Sequence, residues 1–219
     1  MADTAIFDID GTLVDTNYQH ALAWFRAFRR FDITKPLWEI HRAIGMGGDQ
    51  LVTHLAGPEV ERRRGDELRA ASGEEFAEFF DEIAPFAGAH DLLRDVRDRG
   101  FRLVLASSGN QDDIDHMLDL LDARDIAQAW TTSADVEKTK PAPDLVQVAM
   151  AKVGGTTGVM VGDSTWDCIA AGKLDIPTVA VRTGGFSVDE LTQAGAGMVF
   201  TSLVELREGL DRTPLARAG

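Results

Sequence analysis

Cysteine is almost missing from this sequence of 219 residues, in which Cys168 is the only one. A single cysteine excludes an intramolecular disulfide framework and a zinc site built from several thiolates. The five histidines are scattered and lack the paired spacing of zinc ligands. The scarcity of cysteine fits a reducing compartment, so we expect a cytoplasmic protein.

Long apolar runs and positive charge are also lacking. No stretch approaches the roughly 18 apolar residues of a membrane span, and residues 1–10 lack the basic start of an export signal. Lys and Arg number 22 against 36 Asp and Glu, which gives a formal net charge of −14 at pH 7. This charge repels nucleic acids and anionic membranes, so we expect neither as a partner. A small phosphorylated ligand stays compatible, because a bound cation reverses the field within one pocket.

The remaining composition, 44% hydrophobic and 26% charged, is that of an ordinary globular protein. Short apolar runs, each followed by polar residues, predict buried strands at 5–9, 102–106, 158–161 and 177–181. Segments with helical periodicity lie among them at 89–99, 112–121, 143–153 and 165–173. This alternation predicts an α/β fold with a Rossmann-like parallel sheet, whose strand-end polar residues meet at one edge.

Residues 16–84 break this alternation. Apolar positions such as Leu22, Phe25 and Phe28 fall at helical spacing, and no strand-like run occurs. Gly57-Pro58 and Gly73 are expected to divide the segment into several helices. The sequence therefore predicts an α-helical domain at 16–84, inserted into a catalytic core formed by 1–15 and 85–219.

The first predicted strand ends in two carboxylates, Asp8 and Asp10. Because they alternate along an extended segment, they point in different directions, so that one suits attack on a substrate and the other suits proton transfer. A strand followed by a simple Asp-Gly turn is the plainer interpretation. A calcium-binding loop is excluded, because Thr12 and Gln19 stand where its ligands belong.

Two more carboxylates, Asp163 and Asp167, follow a later strand. Helix capping explains part of this pattern, since Ser164 is a suitable N-cap and Asp167 lies in the first helical turn. Asp163 precedes the cap, where it would be repelled by Asp8 and Asp10 unless the three shared a cation. Clustered carboxylates without histidine suit Mg²⁺.

A Ser-Ser-Gly-Asn turn at 107–110 and Lys140 are further candidates. The hydroxyl of Ser107 and the turn around Ser108 and Asn110 suit the binding of a phosphate, although a plain turn before a helix has the same composition. Lys140 precedes two prolines within residues 141–144, which stiffen the chain and hold the ammonium in one direction. The alternative for Lys140 is an exposed loop lysine.

Four short motifs occur in a fixed order along the chain. They are Asp-x-Asp-Gly-Thr at 8–12, a serine after an apolar strand at 107, Lys-Pro-x-Pro-Asp at 140–144 and Gly-Asp-Ser-x-x-Asp at 162–167. In type and order they resemble the motifs of the haloacid dehalogenase superfamily, over essentially the whole chain. The helical insert resembles the C1 cap of that family. One departure is Thr139, which stands where many members have glycine.

The resemblance implies that Asp8 is a nucleophile forming an aspartyl-phosphate, and that Asp10 protonates the leaving oxygen and later activates water. It also implies that Ser107 and Lys140 hold the phosphoryl oxygens. The implied ligands of Mg²⁺ are Asp8, the backbone carbonyl of Asp10, Asp163 and Asp167, the last as a ligand or immediately behind the ligands.

The resemblance further implies a Mg²⁺-dependent phosphatase acting on a small phosphorylated metabolite, with phosphoglycolate and small sugar phosphates as candidates. Sugar-phosphate mutases share the four motifs and often a histidine at the position of His20, which we interpret as a helix-packing or hinge residue. Mutases carry an arginine for a second phosphate in a loop of the cap. The corresponding segment of this chain, residues 44–49, has Gly47 and Gly48 there, so we favour a phosphatase. We expect those two glycines and Arg42 to contact the substrate. A catalytically silent phospho-ligand-binding module is the remaining alternative.

Overall fold

The computed structural model describes residues 2–218 and contains one parallel sheet of six strands. The strands are β1 Thr4–Phe7, β2 Arg102–Ala106, β3 Ala129–Thr131, β4 Gly158–Gly162, β5 Thr178–Val181 and β6 Ala196–Phe200. Their order across the sheet is β3-β2-β1-β4-β5-β6, and every neighbouring pair is parallel. The predicted α/β fold is confirmed.

The helices alternate with the strands outside the insert, as predicted. They are α1 Asn17–Arg30, α2 Leu37–Ala43, α3 Gly48–Ala56, α4 Pro58–Ala77, α5 Ala89–Asp98, α6 Gln111–Leu120, α7 Asp144–Lys152, α8 Thr165–Gly172, α9 Val188–Gln193 and α10 Leu203–Glu208. Within residues 2–218, no helix combines the length and the apolar character that crossing a bilayer requires.

Both faces of the sheet are covered by helices. In β1, Phe7 belongs to the hydrophobic cluster shared with α5, α6 and α10, whereas Ile6 belongs to the cluster shared with α7 and α8. Because side chains of a strand alternate between faces, a sheet buried on both sides needs continuous apolar strands. This requirement explains why the central strands were readable from the sequence.

Two edge strands, β3 and β6, were missed by the sequence prediction. β3 has three residues and only its last one is fully buried, and the middle of β6 is partly exposed. An edge strand has a neighbour on one side only and little apolar burial, so its sequence lacks a continuous apolar run. Both strands are identified by their pairing with β2 and β5.

The helices α1 to α4 lie between residues 17 and 77 and share a hydrophobic cluster that includes Trp24, Phe28 and Leu68. Gly57 and Pro58 separate α3 from α4, as expected. Gly73, however, lies inside α4, so its predicted role as a helix boundary is wrong. One helical glycine costs only about 1 kcal/mol relative to alanine, which packing of α4 against α1 readily offsets. The domain boundaries themselves stay a prediction.

The sheet topology places the candidate residues together. β1 lies between β2 and β4: the chain runs from β1 to β2 and β3 on one side and then crosses to β4 on the other side of β1. Asp8 follows β1, Ser107 follows β2 and Asp163 follows β4. Because the three strands are parallel neighbours, their carboxyl ends meet at the switch point, where open α/β sheets bind ligands.

Candidate active site

Asp8 and Lys140 form a buried ion pair at the centre of this edge. The ammonium Nζ of Lys140 donates to Oδ1 of Asp8 and, at 2.9 Å, to Oδ1 of Asp167. The hydroxyl oxygen of Thr12 lies 3.2 Å from Oδ2 of Asp8. Lys140 is only 2% exposed, so the alternative of an exposed loop lysine is wrong. Oδ1 of Asp8 is therefore held by the ammonium, and Oδ2 lies beside the hydroxyl of Thr12.

The charges around this ion pair do not balance. Burial tends to lower the pKa of Lys140, but the carboxylates of Asp167 and Asp8 outweigh it and raise that pKa above its usual value. Burial raises the pKa of Asp8 well above its usual value, with Lys140 opposing and Asp167 and Asp163 adding to the effect. One ammonium thus faces more carboxylates than it can neutralise.

Asp8, Asp163 and Asp167 form a buried acidic cluster, with one oxygen of each within 4.8 Å of the others. Asp163 accepts hydrogen bonds from Oγ1 of Thr12 at 2.7 Å and from Nδ2 of Asn17 at 2.9 Å. Burial, followed by the charge of Asp167, raises the pKa of Asp163 to about 7. Three carboxylates with excess negative charge are a donor set that fits a divalent cation such as Mg²⁺.

Asp167 has two roles in the structure. Its Oδ2 accepts from the backbone N of Ser164 at 3.1 Å and from the hydroxyl of Ser164 at 2.6 Å, which completes a capping box at the start of α8. Its Oδ1 accepts from Lys140. The capping and the site interpretations of Asp167 therefore both hold, because each uses a different oxygen.

Asp10 has different surroundings from Asp8. Its Oδ1 accepts from the hydroxyl of Thr16 at 3.0 Å and lies 3.0 Å from Nε2 of His20, and its Oδ2 accepts from the hydroxyl of Ser107 at 3.1 Å. Burial tends to raise the pKa of Asp10, but His20 and these hydrogen bonds bring it below its usual value. The side chain of Asp10 is therefore stabilised as a carboxylate outside the acidic cluster.

His20 contacts both the site and the helical packing. Its ring stacks on Phe76 with centroids 3.8 Å apart, which agrees with the packing role expected for it. Its hydrogen-bonding contact with Asp10 was not expected. Thr16 and Asn17 were also missed. The available signal was the four-residue spacing of Thr16, the N-cap residue of α1, and His20, which brings both side chains to one side of the start of the helix.

The turn at 107–110 adds polar groups from β2 and α6. The hydroxyl of Ser107 accepts from the backbone N of Gly109 at 2.9 Å, and Asn110 caps α6 by accepting from the backbone N of Asp113 at 2.9 Å. The buried hydroxyl of Ser108 has no hydrogen-bond partner among the described residues. Turn formation and helix capping thus leave one buried hydroxyl available for a ligand.

A cavity of about 610 Å³ connects these groups with the helical insert. Asp8, Asp10 and Lys140 line it from the sheet edge, together with Ser108 and Asn110. From the insert, residues 44–49, which run from the end of α2 into the first turn of α3, line it, including Gly47 and Gly48. The structure therefore brings these predicted catalytic and substrate-binding residues to one cavity, with Ser107 directly behind it on Asp10.

Arg42 lies elsewhere. Its guanidinium forms an ion pair with Glu190 in α9 and lies 4.0 Å from the ring centroid of Phe186. Its backbone carbonyl accepts from the indole N–H of Trp166 at 3.2 Å. The expectation that Arg42 contacts substrate is therefore corrected: in this structure it joins α2 to α8 and α9, outside the residues that line the cavity.

Arg69 lines the cavity and was missed in the sequence. Both its terminal nitrogens are engaged, Nη1 with the two carboxylate oxygens of Glu61 at 2.7 and 2.9 Å and Nη2 with Asp66 at 2.7 Å. It belongs to the charge-rich α4, in which the spacing of charges does not distinguish an inward arginine from a solvated one.

Known proteins are similar to this chain in sequence and in architecture. The phosphoglycolate phosphatase of Caulobacter vibrioides is 27% identical over 210 residues, which cover 93% of this chain and 88% of the relative. A solved hydrolase structure from Pseudomonas syringae has a TM-score of 0.90 and 30% identity, over 95% of this chain and 98% of that one. A structure from Bacteroides vulgatus, described provisionally as a beta-phosphoglucomutase, has a TM-score of 0.84 and 22% identity, over 95% and 87%; it shows a shared fold.

The family itself is shown by a match to residues 5–181, which include the strand-end carboxylates, Lys140 and the helical insert. The matching family model is described as haloacid dehalogenase-like hydrolase. The chain therefore belongs to the haloacid dehalogenase-like hydrolases.

Proposed function

We propose that this protein is a Mg²⁺-dependent phosphatase that hydrolyses a small phosphomonoester through an aspartyl-phosphate on Asp8. The observation that carries the proposal is the pair of neighbouring carboxylates, Asp8 and Asp10, which line one cavity but have different partners. One carboxylate lies against a cation and an acidic cluster, and the other lies among proton donors. This separation suits covalent catalysis with a dedicated acid and base.

In the first step, an oxygen of Asp8 attacks phosphorus and the bond to the alcohol oxygen of the substrate breaks. Asp10 donates a proton to that oxygen. The approach of a dianionic phosphate raises the pKa of Asp10 by repulsion between like charges, which favours the protonated carboxyl when the proton is needed. In the second step, water gives a proton to Asp10 and attacks phosphorus, which releases phosphate and restores Asp8.

Positioning and charge compensation accompany both steps. Lys140 is a fixed cation beside Asp8, and the turn containing Ser107 and Ser108 offers hydroxyl and backbone N–H donors to the phosphoryl oxygens. We propose that Mg²⁺ is held by Asp8, Asp163 and the backbone carbonyl of Asp10, with Asp167 beside them. When bound, it neutralises charge on the phosphoryl group and on the carboxylates.

The insert favours a phosphatase over a mutase. A mutase that accepts a bisphosphate needs a free cation for the second phosphate. Among the described residues, the cavity is lined by one lysine, Lys140, and one arginine, Arg69. Lys140 belongs to the reacting centre. Arg69 already binds two carboxylates. The phosphatase activity named for the Caulobacter vibrioides relative agrees with this choice, and phosphoglycolate or a small sugar phosphate is the proposed substrate class.

Phosphate release from a panel of small phosphomonoesters, with and without Mg²⁺, tests this function. We expect Mg²⁺-dependent turnover by the wild type and a loss of more than about 10³-fold in the Asp8→Asn variant, which keeps the shape of the side chain but not its nucleophilicity. Labelled phosphate should be trapped on Asp8 after an acid quench. Interconversion of two sugar phosphates without phosphate release would instead establish a mutase, and binding without turnover a silent module.

A further inference from the structure

The segment 45–49, which leads into the first turn of α3 and is called the loop below, contacts the chain segment of the proposed catalytic Lys140 directly. The backbone N of Gly47 donates to the carbonyl oxygen of Lys140 at 3.3 Å. The hydroxyl of Thr139 donates to Oδ1 of Asp49, and the backbone N of Thr139 lies 3.5 Å from Oδ2 of the same carboxylate. The insert therefore contacts this segment at two points, the side chain of Thr139 and the backbone carbonyl of Lys140.

Gly47 is required by this close approach. A Cβ atom at position 47 would lie 1.9 Å from Oγ1 and 2.3 Å from Cβ of Thr139. The φ angle of Gly47 is −73°, which every residue adopts, so the need for glycine is purely spatial. Thr139 is itself buried. The loop and residue 139 therefore fit together by size as well as by hydrogen bonding.

We propose that Asp49 and Thr139 are positioning residues that hold the loop at 45–49 closed over Lys140. The inference rests on the proposed function and adds a device for closing its cavity. Gly47 and Asp49 lie in the loop, whereas Thr139 and Lys140 lie beside the sheet edge, so opening the loop breaks both hydrogen bonds together. Loop closure and the backbone position of Lys140 are thereby linked.

This linkage predicts a separation of kinetic effects. When only the closed form binds substrate well, the apparent affinity falls with the closed fraction. Removal of the hydroxyl in Thr139→Val should therefore raise KM about tenfold, as expected for the loss of a hydrogen bond to a carboxylate. It should leave kcat nearly unchanged, because saturating substrate restores closure. Thr139→Ser keeps the hydroxyl and should behave like the wild type.

Exchanging the sizes of two residues tests the fit. Gly47→Ala should lower kcat/KM by more than tenfold, because the new methyl group meets Thr139. Adding Thr139→Gly removes the obstacle, so the double variant should match the Thr139→Gly single variant instead of showing the product of both losses. Multiplicative losses in the double variant would overturn the proposal, as would a Thr139→Val effect confined to kcat.

Amide hydrogen exchange supplies a measurement that does not depend on activity. The amide of Gly47 should be protected in the free wild-type protein and in Thr139→Ser, and should exchange about tenfold faster in Thr139→Val, with unchanged melting temperatures as the folding control. Equal protection in Thr139→Val and wild type would overturn the proposed contact. If the wild type hydrolyses no phosphomonoester but the exchange pattern holds, the proposed function fails while the closing contact stands.

Discussion

Asp8 and Asp10 are two residues apart, yet their surroundings have little in common. Asp8 lies against Lys140 and two further carboxylates, and burial raises its pKa. Asp10 is surrounded by the hydroxyls of Thr16 and Ser107 and by the ring of His20, which together lower its pKa despite burial. The comparison shows how alternation along one extended segment directs identical side chains into different electrostatic environments.

The largest effect expected on the Asp10 side comes from Asp10→Asn. The amide keeps the size of the side chain but cannot transfer the proton, so we expect kcat to fall about 10²- to 10⁴-fold. A phenyl phosphate with a strongly acidic leaving group needs no protonation and should lose much less in the first step. Equal losses in the rate of the first step, measured in a single turnover with acidic and ordinary leaving groups, would contradict the assignment of Asp10 as the acid.

On the Asp8 side, Lys140→Met should destabilise the fold. The variant leaves Asp8, Asp163 and Asp167 without their buried cation, and removing one partner of such a pair costs about 3–5 kcal/mol. Because a divalent cation would neutralise the same carboxylates, Mg²⁺ should recover more stability in Lys140→Met than in the wild type. Urea unfolding with and without Mg²⁺ measures both effects, and Lys138→Met is the matched exposed control.

A smaller effect is expected from His20→Gln. The amide still occupies the space beside Asp10 but cannot be cationic, so the pKa of Asp10 should rise toward its usual value. The limb of the pH profile of kcat/KM that Asp10 determines should shift to higher pH, with a rate loss of about tenfold at most. An unshifted profile with a simple loss of stability would leave His20 as a packing residue against Phe76.

The last effect concerns the dependence of stability on pH. The pKa of Asp163 is about 7 in the folded protein, whereas aspartate in an unfolded chain titrates near about 3.9. The folded state therefore binds this proton more tightly, so the stability from this group is complete below about pH 4 and is lost as pH rises through 7. The contribution of Asp163 to the free energy of unfolding therefore changes by at most about 1.4 kcal/mol per pH unit.

Unfolding by urea across this pH range, in the absence of Mg²⁺, measures that change. Subtracting the result for Asp163→Asn removes the contributions of other groups. Mg²⁺ should abolish the difference, because a bound cation keeps the carboxylate ionised. A difference between wild type and Asp163→Asn that increases with pH would contradict the assignment.

Much of the site was predictable from the sequence because it lies at strand ends. A continuous apolar run predicts a buried strand, and the first polar residues after it lie at the carboxyl edge of a parallel sheet. This reasoning located Asp8, Asp10, Ser107 and Asp163. The same reasoning did not apply to the insert. Arg42 was expected in the cavity and instead binds Glu190. Arg69 lines the cavity, although the charge pattern of α4 is typical of a solvent-exposed helix.

By itself, the sequence determined the alternation of strands and helices, the family and the identity of the strand-end carboxylates, because these follow from local periodicity and motif spacing. Only the tertiary structure decided which groups surround each carboxylate and which residues of the helical insert line the cavity. Those contacts join residues far apart in the chain, such as Asp49 with Thr139 and Asn17 with Asp163. They depend on how helices rotate and pack against the sheet edge, which local sequence patterns do not encode.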